Sequence, residues 1–413
     1  MVSYKEFKSG LRMIVVKNEQ LFSVSCGIMA GVGSAYESES ENGISHFIEH
    51  TTFKGTKKRD SFSVSADPEF LGSRLNAYTA KEVTLYYIKS TTDKIDESFE
   101  ILSDIYVNSV YPSEEIEKEK GVVIEEINMS DDTPDELCLD TLSQAFFGDE
   151  VYGRTILGSK KNVSSFTRED IIEFREKYYT AKNTVIVFAG NIDEKRAEEL
   201  VTKYVEGNLP LGQDFLDKPR FDLRFSEKRV KKDIEQIHLA LAYEGEKFDE
   251  NTELISIAST VLGGGMSSRL FQKIREELGL CYTVYSYPSS YMNVGSHVLY
   301  AGLNPTAVKK AYDEMRRVAE VFQRDGITER EFLGAKNQNN ASNVMAQEST
   351  ATLMMLYAKY LLMTGKVYDN AKKINAMESV TLEQMNDYIK NKMDFSRFAV
   401  SVVGKNADEV KLK

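Results

Sequence analysis

Leu21-Phe22-Ser23-Val24-Ser25-Cys26-Gly27-Ile28-Met29 alternates apolar residues with small or polar ones, the period of a half-buried strand. An acidic loop, Glu37 to Asn42, follows it, and then a helical run from Ile44 to Lys54 that Gly55 closes. The same order returns later: Ile237 to Tyr243 as the strand, Glu244 to Asn251 as the acidic loop, and Glu253 to Leu262 as a helix ended by Gly263-Gly264-Gly265. Leu71 to Thr79 matches Leu278 to Tyr285, each a helix end leading into a strand, and the helix from Ile95 to Val107 matches Ala307 to Phe322. The helical stretch from Ser113 pairs with the one from Thr328. Thr184 to Gly190 pairs with Phe398 to Gly404, and both strands follow a helix, Arg168 to Tyr178 and Leu382 to Lys392. Strand–helix order that repeats at about 200 residues predicts a duplicated α+β unit. The expected fold is therefore two homologous domains, each a mostly antiparallel sheet packed with helices. Their expected bounds are 1–210 and 229–413, joined by a linker at 211–228 in a stretch that carries Pro210 and Pro219.

Length agrees, since 413 residues exceed what one hydrophobic core organises. Hydrophobic residues at 42% and charged ones at 28% are ordinary for a globular enzyme. Lys and Arg number 52 against 64 Asp and Glu, a net charge of −12 that repels phosphate at long range, so nucleic acid is not an expected partner. No run of about 18 apolar residues is present to span a bilayer, so no membrane association is expected. The first ten residues lack the apolar core of a signal peptide and carry an early acid, unlike a transit peptide. The cysteines, Cys26, Cys138 and Cys281, are three, far apart and without a CxxC pair. They fit a cytoplasmic location, with no disulfide framework and no cysteine-ligated zinc. Cys26, inside the first strand, reads as a small buried hydrophobe.

Histidine is scarce, with four in the chain: His46, His50, His238 and His297. Two of them bracket an acid in His46-Phe47-Ile48-Glu49-His50. On a helix, residues four apart share a face one turn apart, so the two imidazoles can converge on one ion, and zinc accepts such ligands. Glu49 reaches the same pocket without being a ligand, the place for a base that takes the proton of a zinc-bound water. A catalytic zinc needs a third protein ligand from another element. Glu119 and Glu126, seven apart in Glu117-Lys118-Glu119-Lys120-Gly121-Val122-Val123-Ile124-Glu125-Glu126, share a helix face. One of the two can bind the metal while the other steadies the site, and Val122, Val123 and Ile127 are expected to pack that helix on the core.

His-x-x-Glu-His is the inverted zincin signature, and the chain resembles the metallopeptidase family of the mitochondrial processing peptidase β subunit, pitrilysin and insulin-degrading enzyme. In size and two-halved organisation it is similar to the smaller, bacterial processing-peptidase branch. The resemblance implies a zinc endopeptidase with one Zn2+ per chain, held by His46, His50 and Glu126, with Glu49 as catalytic base and Glu119 behind the ligands. It implies that Arg275 and Tyr282 contact substrate and support the oxyanion; the plainer reading pairs Arg275 with Glu276 or Glu277. It also implies that Asn76-Ala77-Tyr78-Thr79 is an exposed edge strand to which the substrate backbone adds, with Asn76 and Ala77 as its substrate contacts. The two domains then form half of a clamshell. A homodimer is expected, with peptides or unfolded segments as substrates enclosed in its chamber. The alternative from another class is a non-catalytic structural or peptide-binding subunit of a larger complex; an enzyme that needs a second homologous subunit lies between the two.

Gly31-Val32-Gly33-Ser34-Ala35-Tyr36 lacks the third glycine of a dinucleotide fingerprint and leads into an acidic loop, not a helix. Leu353-Met354-Met355-Leu356-Tyr357 reads as core packing. Asp67-Pro68 departs from the family pattern: proline there is expected to break the preceding turn unless Asp67 caps a shortened helix with Pro68 at its first position.

Overall fold

The computed structural model describes residues 1–212, 219 and 221–412. In chain order it contains β1 (Val2–Glu6), β2 (Arg12–Lys17), β3 (Ser23–Ala30), α1 (Ile44–Thr52), α2 (Ser61–Phe70), β4 (Arg74–Thr79), β5 (Thr84–Thr91) and α3 (Ile95–Asn108). Next are α4 (Ser113–Asp132), α5 (Pro134–Phe147), α6 (Lys160–Ser165), α7 (Arg168–Tyr178), β6 (Thr184–Gly190) and α8 (Glu194–Tyr204). The second half has β7 (Glu227–Lys231), β8 (Ile237–Gly245), α9 (Thr252–Gly263), a π-helical stretch Phe271–Glu277, β9 (Cys281–Ser290) and β10 (Gly295–Leu303). It ends with α10 (Val308–Asp325), α11 (Glu329–Ala346), α12 (Thr350–Thr364), α13 (Asn370–Ser379), α14 (Leu382–Asn391) and β11 (Phe398–Gly404).

The duplication is written in the sheets. The first has the order β1-β2-β6-β3-β5-β4, and the second β7-β11-β8-β10-β9. In each, one strand pair is parallel, β2 with β6 and β7 with β11, and the pairs onward from it are antiparallel. Leaving out β1, the two sheets have one connectivity. The helices ahead of β6 and β11 even start alike, with reciprocal caps of Thr167 with Asp170 and Thr381 with Gln384.

The compact units do not follow contiguous halves. One comprises Met1–Ile127, Thr155–Pro219 and Met345–Tyr368; the other comprises Asn128–Arg154, Arg220–Val344 and Asp369–Lys413. Helix α5 thus belongs with the second sheet, where Cys138 lies 3.5 Å from Ser401 Oγ on β11, and α12 belongs with the first. Of the expected linker, residues 213–218 and 220 lie outside the described residues.

This exchange corrects the reading of β3 as half-buried. Val24, Cys26 and Ile28 enter the main core of the first unit, while Ser25 and Gly27 on the other face meet α12. Ser25 Oγ lies 2.8 Å from Thr350 Oγ1. A Cβ on Gly27 would run into the Met354 sulfur and come within 2.9 Å of Leu85 Cδ1. Small residues on this face make room for a helix; they do not mark a wet surface. Leu353, Met354, Tyr357, Ala358 and Leu361 complete a second apolar layer with Ile14, Met29, Leu85, Val185 and Val187, so the methionine-rich stretch is core, as expected. Strand β8 repeats the pattern, with Leu239 and Leu241 in its main core and Ala240 and Ala242 buried on the other face.

Proline 68 does not break its helix. α2 runs through it to Phe70, and the cap is Asp60, whose side chain accepts from the Ser63 amide at 2.8 Å. Pro68 falls in the last turn, where its missing donor forfeits one bond, and Asp67 is held by Arg59 Nε at 2.9 Å. Cys26 and Cys138 are buried free thiols. No helix among the described residues is long and apolar enough to cross a membrane.

The exchanged helix can be tested by overpacking. Gly27→Val should destabilise the protein by about 1–3 kcal/mol. Met354→Ala in the same chain should relieve part of that loss, so the double variant, followed by urea unfolding, should lose less than the sum of the two single changes.

Candidate metal centre

The helix that carries the two histidines starts at Gly43, which has φ of 101° and no side chain to cap with. The cap comes from the acidic loop instead. The amides of Gly43 and Ser45 donate to the two oxygens of the buried Glu37 carboxylate, both at 2.8 Å, and Asn42 Nδ2 donates at 3.0 Å. A carboxylate at this helix end satisfies orphan amides and favours the dipole. Burial pushes the Glu37 carboxyl up, and these bonds oppose the rise. Ile44, Phe47 and Ile48 enter the core. The remaining face carries His46, Glu49 and His50, with the imidazole centroids 4.6 Å apart.

Helix α4 faces them. Ile116, Val123 and Ile127 bury its apolar side, whereas Val122, expected in the core, is 50% exposed. Glu119 and Glu126 point to the histidines. His50 Nδ1 lies 2.9 Å from Glu119 Oε1, His50 Nε2 lies 3.2 Å from Glu126 Oε2, and His46 Nε2 lies 3.7 Å from the same oxygen. Lys54 Nζ completes the array, 2.7 Å from Glu119 Oε2. Glu49 turns to the end of β4, where the Thr79 hydroxyl donates to Glu49 Oε2 at 2.6 Å.

These surroundings divide the two imidazoles. Burial, with His50 second, pushes His46 down to about 3, so it stays neutral with a lone pair to offer. For His50 burial acts downward as well, but the Glu119 hydrogen bond and the Glu126 charge outweigh it and raise its pKa. Burial also works on Glu119, yet the bonds from His50 and Lys54 hold its carboxyl low. Burial raises Glu49, against the Thr79 bond.

One nitrogen from each histidine and one Glu126 oxygen lie within 4.8 Å of one another, the one such group of three among the described residues. Two imidazoles and a carboxylate are a donor set that suits zinc, and three ligands leave a fourth position open for chemistry. The negative surplus that raises His50 also attracts a cation. The residues present fit the metal.

Asn76 and Ala77 lie on β4, the edge of the first sheet, which among the described residues pairs only with β5. Asn76 is exposed, and its Oδ1 accepts the Ala77 amide at 2.8 Å. In the second unit Arg275 lies on the π-helical stretch and Tyr282 near the start of β9. The structure brings these two together: the guanidinium carbon is 4.7 Å from the centroid of the Tyr282 ring, which is 75% exposed. Glu276 is the acid beside Arg275, at 3.7 Å. The sequence pattern gives no role to Glu37 or Lys54, and it places Thr79 only as the end of the edge strand. The signal for Glu37 was available, because a helix that begins at glycine needs a cap from elsewhere.

Two family models match the chain, "Insulinase (Peptidase family M16)" over residues 12–160 and "Peptidase M16 inactive domain" over residues 165–339. Among similar proteins, the "Uncharacterized zinc protease YmxG" of Bacillus subtilis is 35% identical, with 94% of each chain covered. An "Uncharacterized zinc protease" of Rickettsia felis is 34% identical, with 97% of each covered. The fold is that of the crystal structure titled as a peptidase M16 inactive domain from Pseudomonas fluorescens, with a TM-score of 0.92 at 18% identity over 100% of this chain and 99% of that one. A protease from Helicobacter pylori superposes with a TM-score of 0.89 at 22% identity, covering 98% and 99%. With relatives this similar along nearly the whole length and both models matched, the chain belongs to the insulinase (M16) peptidase family.

Proposed function

We propose that this protein is a zinc-dependent endopeptidase whose metal is held by His46, His50 and Glu126 and whose base is Glu49. The convergence of those three side chains, with Glu49 alongside, carries the reading. The chemistry that zinc supplies when bound is polarisation of the scissile carbonyl and a lowered pKa for the attacking water. Glu49 takes the proton of that water and hands it to the leaving amine. Glu119 accepts from His50 Nδ1, which fixes the ring and leaves Nε2 free for the metal, and Lys54 keeps Glu119 charged. The free edge of β4 at Asn76 and Ala77 receives the substrate as an added strand, which favours short peptides and unfolded segments over folded proteins. In the second unit the half-buried Arg275 with the exposed Tyr282 is suited to polarise a peptide carbonyl, and we read the pair as a substrate contact.

The intact ligand set favours catalysis over a purely structural role. Glu49→Gln should abolish hydrolysis of a quenched peptide while metal analysis still finds one zinc per chain; turnover by this variant would remove Glu49 from the mechanism.

Zinc must displace the proton that Glu119 and Glu126 hold on His50. His50 titrates above its ordinary 6.5, so zinc affinity should be highest at alkaline pH and fall as the pH is lowered through that raised range. Glu119→Gln should weaken zinc binding about 10- to 100-fold at neutral pH. Chelator competition across the pH range reads both effects.

We further propose a homodimer, since one chain carries both the metal ligands and the Arg275–Tyr282 pair. Light scattering at micromolar concentration should give twice the chain mass of 46.8 kDa. A fully active monomer would contradict it.

A further inference from the structure

We propose that Thr79 is a positioning residue for Glu49, and that the loop Gly31–Glu37 is the frame that holds the two in register. The inference rests on the reading of Glu49 as the base.

The Thr79 hydroxyl is 2.6 Å from Glu49 Oε2, a contact between the last residue of β4 and the helix α1. A glutamate has three side-chain torsions to fix, and this one feels opposed charges, attraction to His50 and repulsion from Glu126, that do not by themselves set its direction. Donation from the Thr79 hydroxyl supplies that direction. It holds Oε2 at the end of β4, and the Thr79 backbone adds a weaker bond to the same carboxylate. A β-branched threonine suits the task, because its χ1 is restricted and its hydroxyl direction is set by the strand.

Thr79 is itself held. It pairs with Thr84 across a tight turn in which the Ala80 amide donates to the Val83 carbonyl at 2.8 Å. The loop then clamps the turn from outside. The Ser34 amide donates to Ala80 O at 3.3 Å, the Ala35 amide to Lys81 O at 2.7 Å, and Thr84 Oγ1 to Val32 O at 2.9 Å. At Gly33 a Cβ would collide with the Ala80 carbonyl, so glycine is required by close approach. Four residues on, the same loop delivers Glu37, the cap of α1. Both ends of the Thr79–Glu49 bond are therefore anchored on one short segment. A peptide that adds to the β4 edge meets a base already aimed by the strand it lies on.

Thr79→Val keeps the shape and the backbone amide and removes the hydroxyl donor, and Thr79→Ser restores the hydroxyl without the methyl. For each zinc-loaded protein, kcat and KM on a quenched peptide, zinc content and the crystal structure would be measured. Thr79→Val should keep one zinc, lower kcat about 10- to 100-fold and change KM less than about 2-fold. Its Glu49 carboxylate should leave the position beside residue 79, and Thr79→Ser should recover most of kcat with Glu49 back in place. An unchanged kcat in Thr79→Val, a Ser variant as slow as the Val one, or a loss confined to KM would each overturn the inference. If the wild-type protein cleaves no peptide, the peptidase reading is what fails. The Glu49 position in wild-type and Thr79→Val crystals still decides the positioning role: an unmoved carboxylate refutes it.

Discussion

Three carboxylates, Glu49, Glu119 and Glu126, gather around two imidazoles in a half-buried site, and that crowding of negative charge is what the surrounding structure has to sustain. Like charges brought together out of water repel and resist ionisation. The fold meets this with one cation from Lys54, with hydroxyl donation at Glu49, and with His50 taking a proton that His46 cannot take. What remains is an unbalanced pull on a divalent ion at the point where the nitrogens converge. The precision of that point rests on α1, whose first turn is capped by a buried acid from outside the helix.

The second unit shows what the scaffold is without ligands. α9 and α11 stand where α1 and α4 do in the order of elements, yet α9 has no histidine, and Ala341 is roughly where Glu126 falls. A cavity of about 620 Å³ opens there, lined among others by Thr260, Ser267, Gln272 and Gln338. Its acid, Glu331, is bound to Arg269 at 2.7 Å. Amides and hydroxyls are poor zinc ligands. Duplication preserved the architecture, and among the described residues only one copy carries a convergent group of two imidazoles and a carboxylate.

Local rules made much of this legible in the sequence. β6 and β11 fall where their apolar runs lie, and α7 begins at Thr167 because a threonine with an acid three residues on is a cap. His46 and His50 at helical spacing, and Glu119 and Glu126 one heptad apart, obey the same kind of rule. The failures have a common cause. Ser25 and Gly27 read as the wet face of β3, but their partner is α12, more than 300 residues away, and no local period reports a partner at that distance. The contacts of Thr79 with Glu49 and of Lys54 with Glu119 are not legible locally, because each depends on a neighbour brought in by the tertiary fold.

The exchange of α5 and α12 bears on how the chain is made. During synthesis the first sheet is complete once Gly190 has emerged, but its second face stays bare until Thr350–Thr364 arrives. At ribosomal speeds of about 5–20 residues per second, that is a wait of roughly 10 to 30 s with Ile14, Met29, Leu85, Val185 and Val187 uncovered. A nascent chain in that condition is a target for chaperones and for stray association. Its first half can mature only when the last third of the message has been read.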